Sequence, residues 1–156
     1  MKLLLYVADE FKTLEGGKTL AVGLFTDRVV VLNVPRNVPP PSAELPYGIS
    51  LGLVACLLEL PAAELNASGS ITTPTGPSAM SLHEIKVKGV VGGSANLQMR
   101  FDPFLVSAPG TYTLTLSFAG FPPLSESFEF RIEPVDEPQS VAFTMSPFKP
   151  APAQGS

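Results

Sequence analysis

Apolar and polar residues alternate along four segments in the second half of the chain. The segments are 83–88, 95–102, 111–118 and 128–133. A period of two is typical of strands with one face in a core and the other in water, as in antiparallel sheets. The side chains predicted to face inward are His83, Ile85, Val87, Ala95, Leu97, Met99, Phe101, Tyr112, Leu114, Leu116, Phe118, Phe128, Phe130 and Ile132.

The opening residues, MKLLLYVADEF, have two incompatible interpretations: a secretory leader or the first strand of a domain. A leader needs about 7–15 apolar residues and a cleavage site of small residues. Here the apolar run covers residues 3–8 and is interrupted by Asp9 and Glu10. The sequence therefore predicts a core strand. We expect it to form a hairpin with part of residues 19–34, a run long enough to bend near Gly23 or at 26–28.

The middle of the chain contains a loop, a buried strand and a weaker strand. Residues 35–46 include five prolines, so they are predicted to be a crossing loop. Residues 47–60 are apolar on both alternations, which favours a central strand and leaves a short buried helix open. Residues 64–72 indicate a strand that ends in a turn at 73–76.

These elements predict an all-β fold, an immunoglobulin-like antiparallel β-sandwich of about seven or eight strands spanning residues 1–134. Residues 135–156 are predicted to be a Pro-rich C-terminal tail. Its apolar Val141, Phe143 and Met145 alternate as a strand would. We expect this segment to cover an uncharged edge strand, for which the uncharged stretches 69–73 and 111–119 are the candidates.

Composition excludes several classes of function. The net charge is −4 and the ten Lys and Arg residues are scattered, which argues against nucleic-acid binding. No segment reaches the roughly 20 apolar residues of a membrane span. Cys56 is the only cysteine, so an internal disulfide or a cysteine zinc site is impossible. We expect a soluble, cytoplasmic protein without a cofactor.

Candidate catalytic and metal-binding residues are few. The carboxylate candidates for calcium are Asp9, Glu10, Asp27 and Asp102, and hairpin pairing could bring Asp9 or Glu10 near Asp27. No loop has calcium-binding spacing, so we expect these residues to end strands, to meet Arg28 or to discourage edge pairing instead. Cys56 and His83 are predicted to be a core thiol and a boundary histidine. A serine triad lacks its sequence motif. The chain is therefore expected not to be an enzyme.

Exposed aromatic residues are the remaining candidates for contact with a partner. The chain has no Trp and three Tyr, which is a poor supply for sugar platforms. Phe104 and Phe121 are predicted to be exposed in loops, and together with Val141, Phe143 and Met145 they form the expected interaction residues.

Two parts of the sequence carry resemblances. APGTYTLTLSFAGFPPLSESFEFRI resembles the last hairpin of an immunoglobulin-like sandwich, with Tyr112 similar to a tyrosine-corner residue. The chain start is similar to that of an uncharacterised family of small bacterial proteins, and the similarity covers roughly residues 1–134. The matching residues are Asp9-Glu10, Gly17-Lys18, Gly23-Leu24-Phe25 and Asp27. The resemblance implies a bacterial β-sandwich of unknown function and assigns no catalytic residue.

The sequence thus predicts a non-enzymatic protein-interaction or structural module that associates with itself or with another protein. A homo-oligomer is expected, and the alternative is a monomer whose tail folds back on its own sheet. A small-molecule or carbohydrate-binding domain is the alternative function, and it would require an aromatic-lined groove. An enzyme based on carboxylates is a third hypothesis and would require acidic residues converging in a pocket.

Overall fold

The computed structural model describes residues 1–76 and 78–136, and within them it is all-β. The predicted Val141, Phe143 and Met145 lie outside the described residues. Within the described residues, nine strands form two sheets with a half-barrel curl, and one short 3-10 helix, Glu15–Gly17, closes the first hairpin. The strands are β1 (Lys2–Thr13), β2 (Thr19–Leu24), β3 (Val29–Pro35), β4 (Tyr47–Leu58), β5 (Glu64–Thr72), β6 (Ser78–Lys88), β7 (Ser94–Val106), β8 (Gly110–Phe118) and β9 (Phe121–Val135).

The four-stranded sheet has the order β2-β1-β4-β7, and the five-stranded sheet has the order β3-β9-β8-β5-β6. Every pairing is antiparallel except β3 with β9, which run parallel. There is one strand more than the upper expectation of eight because the run 19–34 bends at 25–28. β2 therefore stays in the first sheet while β3 enters the second.

The opening strand prediction is confirmed. β1 pairs with β2 from Ala8↔Leu24 to Thr13↔Thr19, and on its other side it pairs with β4. Leu3, Leu5 and Val7 are buried, with Val7 fully inaccessible. β4 is a central strand between β1 and β7, so the helix alternative for residues 47–60 is wrong.

The core lies between the sheets and contains an aromatic cluster at one end. Tyr112 from β8 stacks on Phe128 from β9, with ring centroids 5.8 Å apart. It also meets Phe130 edge-to-face at 5.1 Å. Edge-to-face and offset aromatic pairs stabilise a core beyond the area that they bury. The hydroxyl of Tyr112 donates to the Ala108 carbonyl at 2.9 Å, which confirms the expected bond to nearby backbone.

Bulges overturn two expectations about which side chains face the core. Ala67 pairs with Ile85 and Gly69 pairs with Leu82, so three steps along β6 oppose two along β5. This bulge on β6 contains Glu84, whose φ is 51°. Because of the bulge, His83 faces solvent and Leu82 packs against the core. The expectation that His83 lies on the apolar face is therefore wrong.

A second bulge buries Phe104. Phe101 pairs with Leu51 and Phe104 pairs with Ile49, so three steps along β7 oppose two along β4. Both phenylalanines then point inward, with ring centroids 5.3 Å apart. Phe104 is fully inaccessible, so the expectation that it is exposed is wrong.

The uncharged stretches expected at an edge lie inside the five-stranded sheet. β5, which holds most of 69–73, is flanked by β6 and β8, while β8 is flanked by β5 and β9. Neither strand needs a cover, so the expectation of an open edge there is wrong. Among the strands of the described residues, those at the edges of the two sheets are β2, β7, β3 and β6.

Candidate functional site

Five of the six residues of the edge strand β2 are exposed. Within the described residues its ladder partner is β1 alone. Leu20, Val22 and Leu24 are each 42–46% exposed, although their side chains are apolar. The strand contains no charged residue and no proline. It therefore lacks the usual devices by which proteins keep an edge strand from pairing with another chain.

The hairpin of β1 and β2 bends so that its tip crosses the outer face of the four-stranded sheet. The Phe11 ring lies over Gly52 of β4, where an added Cβ would come within 2.7 Å of the ring. Thr13 donates to the Gln98 side-chain oxygen at 3.3 Å, and the Gln98 amide donates to the Thr19 hydroxyl at 2.8 Å. Because Gln98 belongs to β7, these bonds tie the tip to the far edge of the sheet.

The bend occurs where Asp9 faces Gly23. Gly23 has φ 65°, a conformation that favours glycine, and a Cβ there would displace the Asp9 carboxylate. Partial burial raises the pKa of Asp9 above its ordinary value. The ionised carboxylate is thus held in a less favourable environment than water.

A groove of about 330 Å³ lies between the hairpin tip and the sheet. The hairpin tip contributes Phe11, Thr19 and Ala21 as a roof, and the rest of the four-stranded sheet provides the floor. No charged side chain lines the groove, and two aromatic rings do. The lining residues are Tyr6, Phe11, Thr19, Ala21, Leu24, Val54, Cys56 and Asn96.

The four acidic candidates have separate environments. Asp27 accepts the Val29 backbone N–H at 3.1 Å and so closes the turn into β3. Asp102 accepts the Ser50 hydroxyl at 2.9 Å, and Glu10 lies 3.7 Å from the Lys12 ammonium. Across residues 1–76 and 78–136, no group of three or more His, Cys, Asp or Glu side chains is arranged to hold a metal ion. Arg28 pairs with Glu126 rather than with the acidic candidates.

The remaining predicted residues are dispersed. Phe121 begins β9 next to the Ala119–Gly120 turn and is 39% exposed, as expected. Cys56 is half-buried on β4 and lines the groove, so the expectation of a core thiol is wrong. His83 lies on β6.

Sequence reasoning missed both the groove and the β2 edge. The groove depends on a hairpin folding over a sheet, and the alternation of single residues carries no such information. One signal was present: Gly23 and Gly52 interrupt otherwise apolar strands, and a strand glycine often marks a bend or a close approach.

No protein-family model matches the chain, and no curated protein matches it. No helix in the described part of the chain is long and apolar enough to cross a membrane.

Proposed function

We propose that this chain is a non-enzymatic, immunoglobulin-like sandwich that acts as a protein-interaction module through the edge of β2. The observation that carries the proposal is the exposure of Leu20, Val22 and Leu24 on a strand with an open edge. Strand addition supplies such an edge with backbone hydrogen bonds and removes its apolar side chains from water. The proposal requires no catalytic residue.

The other three edges are less suited to strand addition. β7 carries Arg100, Asp102 and Pro103, and β6 carries Lys86 and Lys88. Charges and proline on an edge oppose pairing with another chain. The side chains of β3 are buried or half-buried along its whole length. β2 is thus the edge on which a partner gains the most.

The partner that we propose is the C-terminal segment 139–146 of a second copy. Its sequence, QSVAFTMS, has no charge and alternates Val141, Phe143 and Met145. An uncharged edge and an uncharged, alternating segment are complementary in the pattern that strand addition uses. Residues 137–156 follow β9 directly, so each copy carries both halves of the contact and a closed dimer satisfies both.

The immunoglobulin-like assignment is supported by the Tyr112 corner and by the β8–β9 hairpin. The nine strands and the half-barrel curl are the features that this assignment does not account for. The bacterial family and the cytoplasmic location stay predictions.

Light scattering on the full-length protein tests the proposal. We expect a dimer for the wild type, a monomer for Val22→Lys and a dimer for Val91→Lys. The control places the same substitution on a turn residue that is 63% exposed. Phe143→Lys should also give a monomer.

A monomeric wild type would refute self-association, and it would favour the tail folding back on its own sheet if Phe143→Lys also lowers the unfolding temperature. A dimer that survives Val22→Lys would place the contact elsewhere. Circular dichroism on each variant distinguishes a lost contact from a lost fold.

A further inference from the structure

We propose that the groove under the hairpin tip binds one neutral, largely apolar small molecule that carries an aromatic or alicyclic ring. The inference concerns the face of the sheet and does not require strand addition at the β2 edge, although Leu24 belongs to both surfaces. The groove volume of about 330 Å³ lies at the lower end of the range for small-molecule sites, about 300–1,000 Å³. A compact ligand of one or two rings fits that space.

The lining determines the charge of the ligand. None of the eight lining residues is charged, so an ionised ligand would lose water without gaining a counter-ion. The rings of Tyr6 and Phe11 offer faces and edges to another ring. The Asn96 amide provides a donor and an acceptor for one polar group of the ligand. The site therefore combines an apolar body with a single orienting group, as small-molecule sites commonly do.

The groove is formed before any ligand arrives. The bonds from Gln98 to Thr13 and Thr19 hold the hairpin tip over the sheet, and the Phe11 ring seats on Gly52. A preformed site spares the ligand the cost of ordering the protein.

The roof also decides the kind of occupant. Thr19, Ala21 and Phe11 belong to the hairpin, whereas Val54, Cys56 and Asn96 belong to the sheet, so the groove is bounded on two sides. A partner strand needs an open edge with backbone spacing of about 4.8 Å, and a partner helix has a diameter of about 10 Å. A small molecule can enter from the side, because it needs neither an open strand edge nor a space as wide as a helix.

N-phenyl-1-naphthylamine, a neutral two-part aromatic whose fluorescence rises in apolar surroundings, is a suitable probe for the full-length protein. We expect saturable binding of one molecule per chain. Ala21→Phe fills the groove from the roof and Cys56→Leu narrows it from the floor. Each should weaken binding at least tenfold. Ala43→Phe, the matched substitution on an exposed loop residue, should leave binding unchanged.

Cys56 supplies a second measurement because it is the only thiol and it lines the groove. Saturating probe should slow alkylation of Cys56 by N-ethylmaleimide at least fivefold in the wild type. Val22→Lys separates this site from self-association, and it should retain probe binding even when the protein is monomeric.

Four outcomes would overturn the proposal. The first is that the wild type shows no saturable binding, and the second is that folded Ala21→Phe or folded Cys56→Leu binds the probe as tightly as Ala43→Phe does. The third is that the probe does not slow alkylation of Cys56, and the fourth is that folded Val22→Lys loses probe binding. The first outcome is also the one expected if a segment of the chain itself fills the groove, and the last would show that the probe binds between copies.

Discussion

The hydroxyl of Tyr112 makes the replacement Tyr112→Phe a selective test of the tyrosine corner. The oxygen accepts the backbone N–H groups of Ser107 at 3.2 Å and Ala108 at 3.4 Å, and it donates to the Ala108 carbonyl at 2.9 Å. The ring itself is fully inaccessible. Phenylalanine keeps the ring against Phe128 and Phe130, so the substitution removes the hydrogen bonds and leaves the packing.

The expected loss of stability is about 1–2 kcal/mol. A buried polar group without a partner costs about 1–3 kcal/mol. Ser107 and Ala108 are half-buried, so water can replace some of the hydrogen bonds that they lose with the Tyr112 hydroxyl. The expected loss of stability therefore falls in the lower part of that range. With a urea dependence of about 2 kcal/mol per molar, the midpoint of unfolding should fall by about 0.5–1 M.

The assay is urea unfolding followed by circular dichroism at several protein concentrations, because self-association would raise the apparent stability. The other two tyrosines are controls. Tyr47 is buried and donates to the carbonyl of Pro39, an exposed residue, so Tyr47→Phe should cost less than Tyr112→Phe. Tyr6 is 44% exposed, so Tyr6→Phe should be neutral. A midpoint for Tyr112→Phe equal to that of Tyr6→Phe would refute the reasoning.

Three further predictions concern burial and charge. Val7→Asp places an unpaired carboxylate in the core and should prevent soluble folding, whereas Tyr6→Asp on the opposite face should leave a folded protein by circular dichroism; a folded Val7→Asp would contradict the assignment of β1 to the core. Phe104→Ala should lower the free energy of unfolding by about 3–5 kcal/mol and Phe121→Ala by less than about 1 kcal/mol, so equal losses in urea unfolding would argue against the bulge. Burial raises the pKa of Asp9, so its ionised form destabilises the fold; Asp9→Asn should raise the unfolding midpoint at pH 7, and the gain should disappear as the pH falls below the ordinary value of 3.8. A gain that persists at low pH would show that the carboxylate charge is not its cause.

Local patterns predicted strands well because burial on one face imposes a period of two. The alternation is as expected in β8 and in the second half of β9. No bulge lies between Tyr112 and Leu116, or between Phe128 and Phe130. Where one extra residue enters a strand, the same rule assigns the wrong face. His83 is in error for this reason. Phe104 was predicted to lie exposed in a loop, and instead β7 continues through it with a bulge that buries the ring.

The arrangement of strands in the sheets could not be predicted in the same way. β2 and β3 lie in one run of the sequence, residues 19–34, that only the polar residues 26–28 interrupt, yet the two strands belong to different sheets. The stretch 111–119 has no charged residue, and this composition alone does not distinguish an edge strand from an interior strand. An interior strand has neighbours on both sides and needs no charge to keep another chain from pairing with it. The groove depends on three separate segments that meet only after the hairpin bends over the sheet.

The parallel pair of β3 and β9 has a consequence for how the chain folds. Val29 pairs with Glu129 and Pro35 pairs with Val135, so the partners are 100 residues apart at every position. At a synthesis rate of about 5–20 residues per second, a ribosome needs about 5–20 s to deliver β9 after β3.

During that interval, β3 has no ladder partner from the described part of the chain, because β9 is its only neighbour in the sheet. The closure of so long a loop also slows the search for the native register. The newly made chain therefore exposes the apolar VVVLNV stretch for seconds, and a chaperone that binds short apolar segments has time to act there.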